Sequence, residues 1–292
     1  MTNNQTPFQF KLNLSTGDLV TIGARIYQAN FKQYLWLAFS AHLLLLIPVY
    51  GWARFCEISA LLSGLTFANL TAMSAEEIQA VYGQAKRKKW QLLSANILTS
   101  LIIVLGIVLL ILALFIVAIA VALVAITVFS FVFGSSPTQV STISTWTGYV
   151  FGVLILVLPP VFSIWIQCRF FVTEISLLNG KLGAIAALKR SRTLTKRFTS
   201  QIGGAMAIAV CLTIPIALVV QFIGLVAASI SVKLIWNNDQ QIYNQLGGVV
   251  LIILSFVLSV ITMPFWQSIK AVTYFEVLRR QEGFGLRLRE QA

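Results

Sequence analysis

The chain has 292 residues, a mean hydropathy of +0.86 and a formal net charge of +12. Only 10% of its residues are charged and 58% are hydrophobic, whereas soluble domains carry about 25% charged residues. This composition excludes a soluble enzyme and predicts an all-α, polytopic integral membrane protein. The 3 cysteines lie in separate apolar segments without a CxxC or Cys/His pattern, which argues against a disulfide framework or a zinc site.

The N-terminal region is polar to amphipathic. Residues 1–17 form a polar lead-in and lack the apolar segment that a signal peptide needs. Ser15 and Asp18 then predict a helix start, because the hydroxyl can cap the helix and the carboxylate lies in its first turn. The apolar residues that follow share one face, which predicts a short amphipathic helix at the membrane interface. This helix opens a single helical membrane domain over residues 18–281.

Two apolar segments follow and predict a transmembrane hairpin over residues 34–52 and 56–73. We expect Pro48 to kink or end the first helix, because proline removes a backbone hydrogen bond. Arg54 and Glu57 lie near the connection between the segments, which we place on the external side. Their spacing of three residues predicts an ion pair within one helical turn.

A second amphipathic helix is predicted after this hairpin. Ser74 and Glu77 form a capping box, in which a hydroxyl at the cap is followed three residues later by a glutamate. The helix ends in the basic run Lys86–Lys89. We expect this run to lie against lipid headgroups on the cytoplasmic side.

The longest apolar stretch begins directly after this basic run. No Asp, Glu, Lys, Arg or His occurs between Lys89 and Arg169. By length alone, residues 91–133 could cross the bilayer twice. The positive-inside rule favours a single crossing, because it then places Lys86–Lys89 and the basic residues after Arg169 on the same cytoplasmic side. One long tilted helix, or one span plus a re-entrant piece, satisfies this condition.

The chain is predicted to return through residues 148–168 after an external loop at 134–147. We expect Pro159 and Pro160 to break or kink the returning helix. The remaining elements complete a third unit. They are a basic amphipathic helix at 181–198, spans at 202–231 and 246–268 around an external loop at 233–245, a last amphipathic helix at 271–281 and a cytoplasmic tail at 282–292.

We therefore predict about six transmembrane helices in three hairpins, each preceded by an interfacial amphipathic helix. The three units begin near Asp18, Ala75 and Lys181. An even number of spans, together with cytoplasmic basic clusters, places both termini in the cytoplasm.

The basic residues that cluster beside the spans are candidates for binding anionic lipid or a partner protein. Their alternative role is to set the topology alone. The predicted partners are membrane lipids, anionic ones in particular, and a homo-oligomer or a larger membrane-protein complex is a further option. Nucleic acid is not an expected partner, because no basic segment is long or interleaved with aromatic residues. The candidate binding residues are Lys86, Arg87, Lys88, Lys89, Lys189, Arg190, Arg192, Lys196, Arg197, Arg279 and Arg280.

His42 is the intramembrane polar candidate, because it lies inside the first predicted span. An ionisable residue in a membrane segment can serve as a proton relay or a ligand. We favour a neutral imidazole that is hydrogen-bonded to a neighbouring helix, since no second ionisable group is expected at its depth. No acid–base pair, nucleophile–base pair or metal cluster can be assembled from the sequence. We therefore predict no catalytic residues, no cofactor, no metal site and no enzymatic activity.

Three segments carry a resemblance to a known family. Ala187–Leu194 resembles the AL-x-RS-x-x-L signature of the glycerophosphoryl diester phosphodiesterase membrane-domain family, and Tyr274–Leu286 resembles its Y-x-x-LR…EG-x-x-L ending. Asp18–Phe31 is similar to the N-terminal helix of that family. Its relatives include uncharacterised six-span bacterial proteins of the YciC type.

This resemblance covers the membrane part of the family and no catalytic domain. Phosphodiester cleavage in the family's catalytic domain needs carboxylates and histidines that bind metal, and this chain has 1 His and 9 acidic residues. The resemblance therefore implies no catalytic residues. It implies a multi-pass protein of a bacterial inner (plasma) membrane or another prokaryotic internal membrane.

The leading hypothesis is a non-enzymatic scaffold, assembly or lipid-interacting factor that acts through basic cytoplasmic amphipathic helices. The alternative is a transporter or channel subunit for a small or lipid-like solute, which the prolines within the spans and His42 would serve. A membrane-embedded enzyme is the third option.

Overall fold

The computed structural model describes residues 14–133, 137–180, 182–235 and 240–281. Within these residues the chain is all-helical and contains no strand, which confirms that the protein is all-α. The ten helices of these residues are α1 (Thr16–Ala29), α2 (Phe31–Leu44), α3 (Tyr50–Leu70), α4 (Ala75–Arg87), α5 (Lys89–Phe133), α6 (Pro137–Phe170), α7 (Thr173–Asn179), α8 (Ala184–Thr195), α9 (Thr199–Ile235) and α10 (Gln240–Gln281).

Four stretches in the described residues are long and apolar enough to cross a membrane. Their mean hydropathy lies between 2.3 and 3.6, and each is longer than the about 20 residues that a bilayer core requires. The chain is therefore a multi-pass membrane protein, as predicted. The four stretches are Lys89–Val128, Thr145–Asn179, Thr199–Ala227 and Gly248–Gln281.

The first predicted hairpin, residues 34–52 and 56–73, is not among these stretches. The helix α2 has 14 residues, so it is about 21 Å long at ~1.5 Å per residue. This length is shorter than a bilayer core of about 30 Å. The helix α3 has 21 residues and is about as long as the core is thick. The count of six spans therefore stays a prediction.

The predicted lead-in, tail and third amphipathic helix fall wholly or partly outside the described residues. The polar lead-in is described only from Leu14 onward, and the cytoplasmic tail at 282–292 lies outside. The third amphipathic helix, predicted for 181–198, corresponds to α8 at Ala184–Thr195, and Lys181 lies outside.

Both predicted helix starts are confirmed. At the start of α1, the N–H of Asp18 donates to Ser15 Oγ at 3.2 Å, and the N–H of Ser15 donates to Asp18 Oδ2 at 2.9 Å. At the start of α4, Ser74 and Glu77 make the same reciprocal pair at 3.3 and 2.8 Å. Each pair satisfies backbone donors that a helix start leaves without an intrahelical partner.

The segment around Pro48 explains why residues 34–52 form two helices instead of one. A proline ring clashes with the carbonyl four residues earlier, and that residue is Leu44, the last of α2. The chain then turns through Val49, whose φ of 63° is left-handed. This turn requires a glycine at position 51, because a Cβ on Gly51 would overlap the carbonyl oxygen of Leu44.

The described residues form two compact units. One unit, which we call the core unit, comprises the described residues up to Asn96 and those from Phe170 onward. The other unit, which we call the apolar unit, is Ile97–Arg169.

The apolar unit consists of the greater parts of α5 and α6. The helix α5 runs without interruption from Lys89 to Phe133, so residues 91–133 form one long helix without a re-entrant break. Gly106 of α5 faces Phe162 of α6, because a Cβ on Gly106 would lie 2.7 Å from the Phe162 ring. Most apolar side chains of this unit are exposed, as expected of helices that are apolar all round and lie in lipid.

The helix α6 continues through Pro159 and Pro160 without a break, although the sequence predicts a break or a kink there. Proline fixes φ near −65°, a value that an α-helix also requires. The two prolines therefore remove hydrogen bonds without ending the helix, and transmembrane helices tolerate such losses.

The centre of the core unit is α3, in which every residue from Cys56 to Ala68 is buried. The helices α2, α4, α7 and α10 pack around it. The predicted ion pair is present, with 2.5 Å between Arg54 Nη1 and Glu57 Oε1. Glu57, however, lies in this buried helix and is 6% exposed, so its predicted place at an external turn is wrong. The turn comes earlier because Pro48 ends α2 before the predicted connection.

Two predicted loops are largely helical. Of the loop predicted for 233–245, residues 233–235 belong to α9 and 240–245 belong to α10, while 236–239 lie outside the described residues. The loop predicted for 134–147 is helical from Pro137 onward, and 134–136 lie outside. Proline is favoured in the first turn of a helix, which explains the start of α6.

The last amphipathic helix, predicted for 271–281, is instead the end of α10. Every residue from Ala271 to Leu278 is buried. Apolar side chains therefore occur on all faces of this segment, and neighbouring helices cover them. The segment therefore continues the long helix α10, covered by other helices, and is not a separate amphipathic helix.

The helices α1 and α10 approach each other closely at Gly23. A Cβ on Gly23 would lie 3.2 Å from the backbone nitrogen and 3.3 Å from the Cα atom of Ile269. One turn further along α1, the Tyr27 hydroxyl donates to the carbonyl oxygen of Ile261 at 3.0 Å. This carbonyl lies in the turn before Pro264, where proline disturbs the helical hydrogen bonds. Burial raises the pKa of Tyr27, which keeps the donating proton in place.

We expect Gly23→Ala to lower the stability of the protein relative to Gly17→Ala on the same helix. The new methyl group at position 23 must displace the backbone of α10, and overpacking of this kind costs about 1–3 kcal/mol. At Gly17 the atom nearest to an added Cβ is Ser15 Oγ at 3.9 Å, so alanine there only improves helix propensity. Thermal unfolding in detergent measures both variants. A melting temperature of Gly23→Ala at or above that of Gly17→Ala would contradict the close packing.

Candidate functional site

Six of the predicted basic residues are exposed on α4, on α8 and directly after α8. Their ammonium and guanidinium groups can therefore reach lipid headgroups or a partner protein. We call this set the basic surface. It consists of Lys86, Arg87, Lys189, Arg192, Lys196 and Arg197.

Lys88, which follows α4, joins the two basic helices. Its Nζ donates to the carbonyl oxygens of Leu177, at 2.7 Å, and Gly180. These carbonyls lie at the C-terminal end of α7, where the helix dipole favours a cation, while burial lowers the pKa of Lys88. Because Gly180 comes shortly before α8, the basic end of α4 lies beside the start of α8.

Lys89 also belongs to the fold. Its Nζ lies 4.8 Å from the centroid of the Tyr50 ring and 5.8 Å from that of Trp90, which are cation–π distances. Lys88 and Lys89 are therefore half-buried. Within the predicted run Lys86–Lys89, the exposed pair is Lys86 and Arg87.

Arg279 and Arg280 hold a buried carboxylate at the end of α10. Glu276 is 2% exposed, and its Oε2 and Oε1 lie 2.6 Å from Arg279 Nη2 and 2.5 Å from Arg280 Nε. The N–H of Leu14 donates to Glu276 Oε1 at 3.2 Å. Arg280 Nη2 and Gln201 Nε2 in turn donate to the carbonyl oxygen of Leu14 at 3.0 and 2.8 Å. We call this group the Glu276 clamp.

The Glu276 clamp gives both arginines a structural role that the sequence does not reveal. A buried carboxylate is costly unless charged partners and hydrogen-bond donors surround it. The clamp supplies both, and it ties the start of α1 to the end of α10. Arg279 and Arg280 are therefore not part of the basic surface.

His42 is buried and has a partner on each side of its ring. Its Nδ1 lies 2.8 Å from the carbonyl oxygen of Ala38, and its Nε2 lies 2.8 Å from Ser259 Oγ on α10. The rings of Phe55 and Phe256 meet the imidazole edge to face at 5.3 and 5.6 Å. A neutral imidazole satisfies both polar contacts, with Nδ1–H donating to the carbonyl and Nε2 accepting from the hydroxyl.

A chain of polar side chains connects α3, α7 and α10 inside the core unit. Ser63 Oγ donates to Gln267 Oε1 at 2.7 Å, and Gln267 Nε2 donates to Ser59 Oγ at 2.6 Å. Ser59 Oγ then donates to Glu174 Oε2 at 3.3 Å, and this oxygen forms an ion pair with Lys270 Nζ at 3.1 Å. We call this group the polar chain.

Sequence reasoning missed the polar chain. It assigns no role to Gln267 or Lys270 of α10. A signal exists, because Ser59 and Ser63 are four residues apart and so share one face of α3. Two hydroxyl groups on one face of an otherwise apolar segment indicate that this face meets polar groups of another helix.

A groove of about 390 Å³ opens between α4 and α8, within the range of about 300–1,000 Å³ that is typical of ligand pockets. Its base is formed by buried apolar residues of α3, α4 and α10. Its walls carry charges of both signs, Glu77 on α4 and Arg190 on α8. The lining residues are Phe67, Met73, Glu77, Ala80, Val81, Gln84, Asn179, Arg190, Tyr274 and Leu278.

No family model, curated protein or solved structure matches the chain. Among the described residues, no group of three or more His, Cys, Asp or Glu side chains is placed to hold a metal ion. The features that can bind a lipid, another ligand or a partner protein are the basic surface, the groove and the buried polar contacts of the core unit.

We expect Lys88→Met to destabilise the protein, whereas Lys86→Met should leave its unfolding temperature nearly unchanged. Methionine keeps the apolar stem but removes the donor to Leu177 and Gly180. Hydrogen bonds to charged groups contribute about 1.5–3 kcal/mol, and partial exposure of Lys88 reduces the expected loss to about 1 kcal/mol. Thermal unfolding in detergent compares the two variants. Equal melting temperatures would show that Lys88 does not fasten α4 to α7.

Proposed function

We propose that the protein is a non-enzymatic membrane scaffold, assembly or lipid-interacting factor whose basic surface binds anionic lipid headgroups. The observation that carries this proposal is the exposure of six cationic side chains on α4, on α8 and directly after α8. Each Lys or Arg near an anionic leaflet contributes about 1 kcal/mol of attraction. Six such residues together favour an anionic lipid surface strongly.

The basic residues fall into two groups, those with partners within the fold and those that are exposed, and this division supports the proposal. Lys88, Lys89, Arg279 and Arg280 have partners within the fold, so their presence is explained without a lipid. The six side chains of the basic surface are instead exposed, as binding to lipid headgroups requires. A second copy of the chain or another membrane protein would bind the same surface in the assembly form of this proposal.

The proposed topology has six spans, with both termini and the basic surface in the cytoplasm. The α2–α3 pair would form the first hairpin. In its support, α2 exposes Trp36, Phe39 and Leu43, as a helix facing lipid would. The host membrane would be a bacterial inner membrane or another prokaryotic internal membrane, and the family resemblance of Ala187–Leu194 and Tyr274–Leu286 is part of this proposal.

We expect Lys86→Gln combined with Arg87→Gln to weaken the association with anionic lipid about thirtyfold, from the loss of two charges at about 1 kcal/mol each. The measurement is tryptophan quenching by brominated phosphatidylglycerol against brominated phosphatidylcholine in reconstituted vesicles. The matched control is Arg25→Gln combined with Lys32→Gln, which removes two exposed charges outside the basic surface. An equal loss in both variants, or no loss in either, would contradict a localised lipid-binding surface.

The transporter or channel alternative has one observation in its favour. His42 contacts Ser259, and Gln221 Nε2 donates to Ser255 Oγ at 3.1 Å. Ser255 and Ser259 are one turn apart on α10. Polar contacts therefore follow one another along a membrane-spanning helix, as they would beside a solute pathway.

A cysteine at position 259 distinguishes the two functions. For a scaffold we expect Ser259→Cys to resist a membrane-impermeant maleimide, because the exposed side of Ser259 on this apolar helix would face lipid and not water. The exposed Cys211 is first changed to serine, and Thr193→Cys on the exposed side of α8 serves as the labelled control. Rapid labelling of position 259 from water would favour the transport alternative.

A further inference from the structure

Three cationic side chains form a row along the outward face of α8. Lys189, Arg192 and Lys196 follow one another at spacings of three and four residues, so they share one face of the helix. Lys196 comes directly after α8 and keeps helical angles, with φ −52° and ψ −42°, so it continues the row. All three side chains are exposed. We call these three residues the α8 row.

We propose that the α8 row binds a phospholipid whose headgroup contains two phosphates joined by a glycerol, the diphosphatidylglycerol class. This inference rests on the proposed lipid-interacting function, and it names the lipid that the basic surface selects. Four observations carry it: the accessibility of the row, its spacing, its place between two membrane-spanning stretches and an exposed isoleucine at its end.

The charged groups of the α8 row are free to contact a ligand. None of them forms a hydrogen bond or an ion pair with another residue that the structure describes. Like charges three or four residues apart on a helix repel each other, so an anion that binds between them removes this repulsion. The opposite face of α8 is buried, which holds the row outward. The buried residues are Ala187, Leu188, Ser191, Leu194 and Thr195.

The spacing of the α8 row suits two linked phosphates. At a rise of about 1.5 Å per residue, Arg192 lies about 4.5 Å along the helix from Lys189 and about 6 Å from Lys196. A phosphate can therefore lie between Arg192 and the lysine on either side. Because a guanidinium has five N–H donors, Arg192 can donate to both phosphates. Once one phosphate is bound, the linkage holds the second at a high effective concentration, so the linked pair binds more tightly than two separate lipids.

The position of α8 brings the row to the level of lipid headgroups. Lys88, directly before α5, donates to the carbonyl oxygen of Gly180, shortly before α8. At the other end, α9 begins at Thr199, three residues after Lys196. Both α5 and α9 contain stretches that are long and apolar enough to cross a membrane. The helix α8 therefore connects the starts of two such stretches, as expected of a helix that lies along the membrane surface.

An exposed isoleucine at the end of the row indicates that the ligand is a lipid and not a soluble diphosphate. Ile185 lies four residues before Lys189, on the same face of α8, and is 64% exposed. This side chain can cover the glycerol and the first methylene groups of a lipid, which removes apolar surface from water. A soluble diphosphate has no apolar group to place there.

The test measures lipid binding to the full chain, purified in detergent, by native mass spectrometry. Diphosphatidylglycerol is compared at pH 8 with phosphatidic acid built from the same acyl chain, because a phosphomonoester with a second pKa of about 6 also carries nearly two charges. We expect diphosphatidylglycerol to bind about tenfold more tightly, since only its two charges lie on separate, linked phosphates. Equal binding of the two lipids, or tighter binding of phosphatidic acid, would overturn the proposal.

Arg192→Gln is the decisive variant, because Arg192 lies at the centre of the α8 row. We expect it to lower the preference for diphosphatidylglycerol over phosphatidic acid about fivefold, the effect of one lost charge beside an anionic headgroup. Arg197→Gln is the matched control. Arg197 is also exposed, but it follows Lys196 directly and so lies about 100° around the helix axis from the row. An unchanged preference in Arg192→Gln, or an equal loss in Arg197→Gln, would overturn the assignment.

Ile185→Ser tests the apolar end of the site. We expect it to weaken the binding of diphosphatidylglycerol about threefold, because the variant has less apolar surface to cover the lipid. Ile185→Leu keeps that surface and should bind like the unmodified protein. Unchanged binding by Ile185→Ser would show that the row takes the two phosphates without the lipid, and this result would overturn the lipid assignment.

The proposed function and this inference can fail separately. If neutralising Lys86 and Arg87 leaves the association with brominated phosphatidylglycerol intact while Arg192→Gln still loses its preference, the general attraction of the basic surface is wrong and the α8 row stands. If that association falls while Arg192→Gln keeps its preference for diphosphatidylglycerol, the α8 row is refuted and the basic surface stays in place.

Discussion

The burial of α3 from Cys56 to Ala68 is the constraint on which the core unit depends. This helix carries Glu57, Ser59, Ser63 and Thr66 among apolar residues, and all four are buried. A buried polar group costs free energy unless it has a hydrogen-bond partner. The helices that pack against α3 must therefore place polar groups directly opposite these four residues.

The polar chain shows how that condition is met. Gln267 of α10 bridges Ser59 and Ser63, and the carboxylate of Glu174 receives both the Ser59 hydroxyl and the Lys270 ammonium. These contacts fix the register between α3, α7 and α10, because a shift of one residue would separate every pair. The Glu276 clamp meets the same requirement. Its buried carboxylate accepts the N–H of Leu14 and so positions the first described residues of the chain.

Much of the architecture follows from local sequence. The starts of α1 and α4 depend on residues three positions apart, and the uninterrupted α5 follows from a run of apolar residues. Such signals depend on residues close together in the chain, so they predict helix starts and helix length without knowledge of the fold. Pro48 likewise ends α2 through a clash with a carbonyl only four residues away.

The candidate site could be predicted less well from the sequence, because whether a basic residue is exposed or paired depends on residues far away in the chain. Lys86 and Lys88 are two residues apart in one basic run, yet the first is exposed and the second contacts residues near position 180. Arg279 and Arg280 resemble a membrane-surface cluster in sequence, but their carboxylate partner is buried. The groove is also invisible in sequence, since Glu77 and Arg190 belong to different helices and Tyr274 to a third.

The continuity of α10 connects the membrane contacts to the groove. Ser259, which meets His42, and Tyr274, which lines the groove, lie on one helix with Pro264 between them. Proline weakens a helix by removing a hydrogen bond, so this position is where the two halves could move relative to each other. The Tyr27 hydroxyl, bound to the Ile261 carbonyl, and the close approach of Gly23 to Ile269 brace both sides of the proline. The helix α1 therefore contacts α10 on both sides of Pro264 and holds the two parts of the helix in one register.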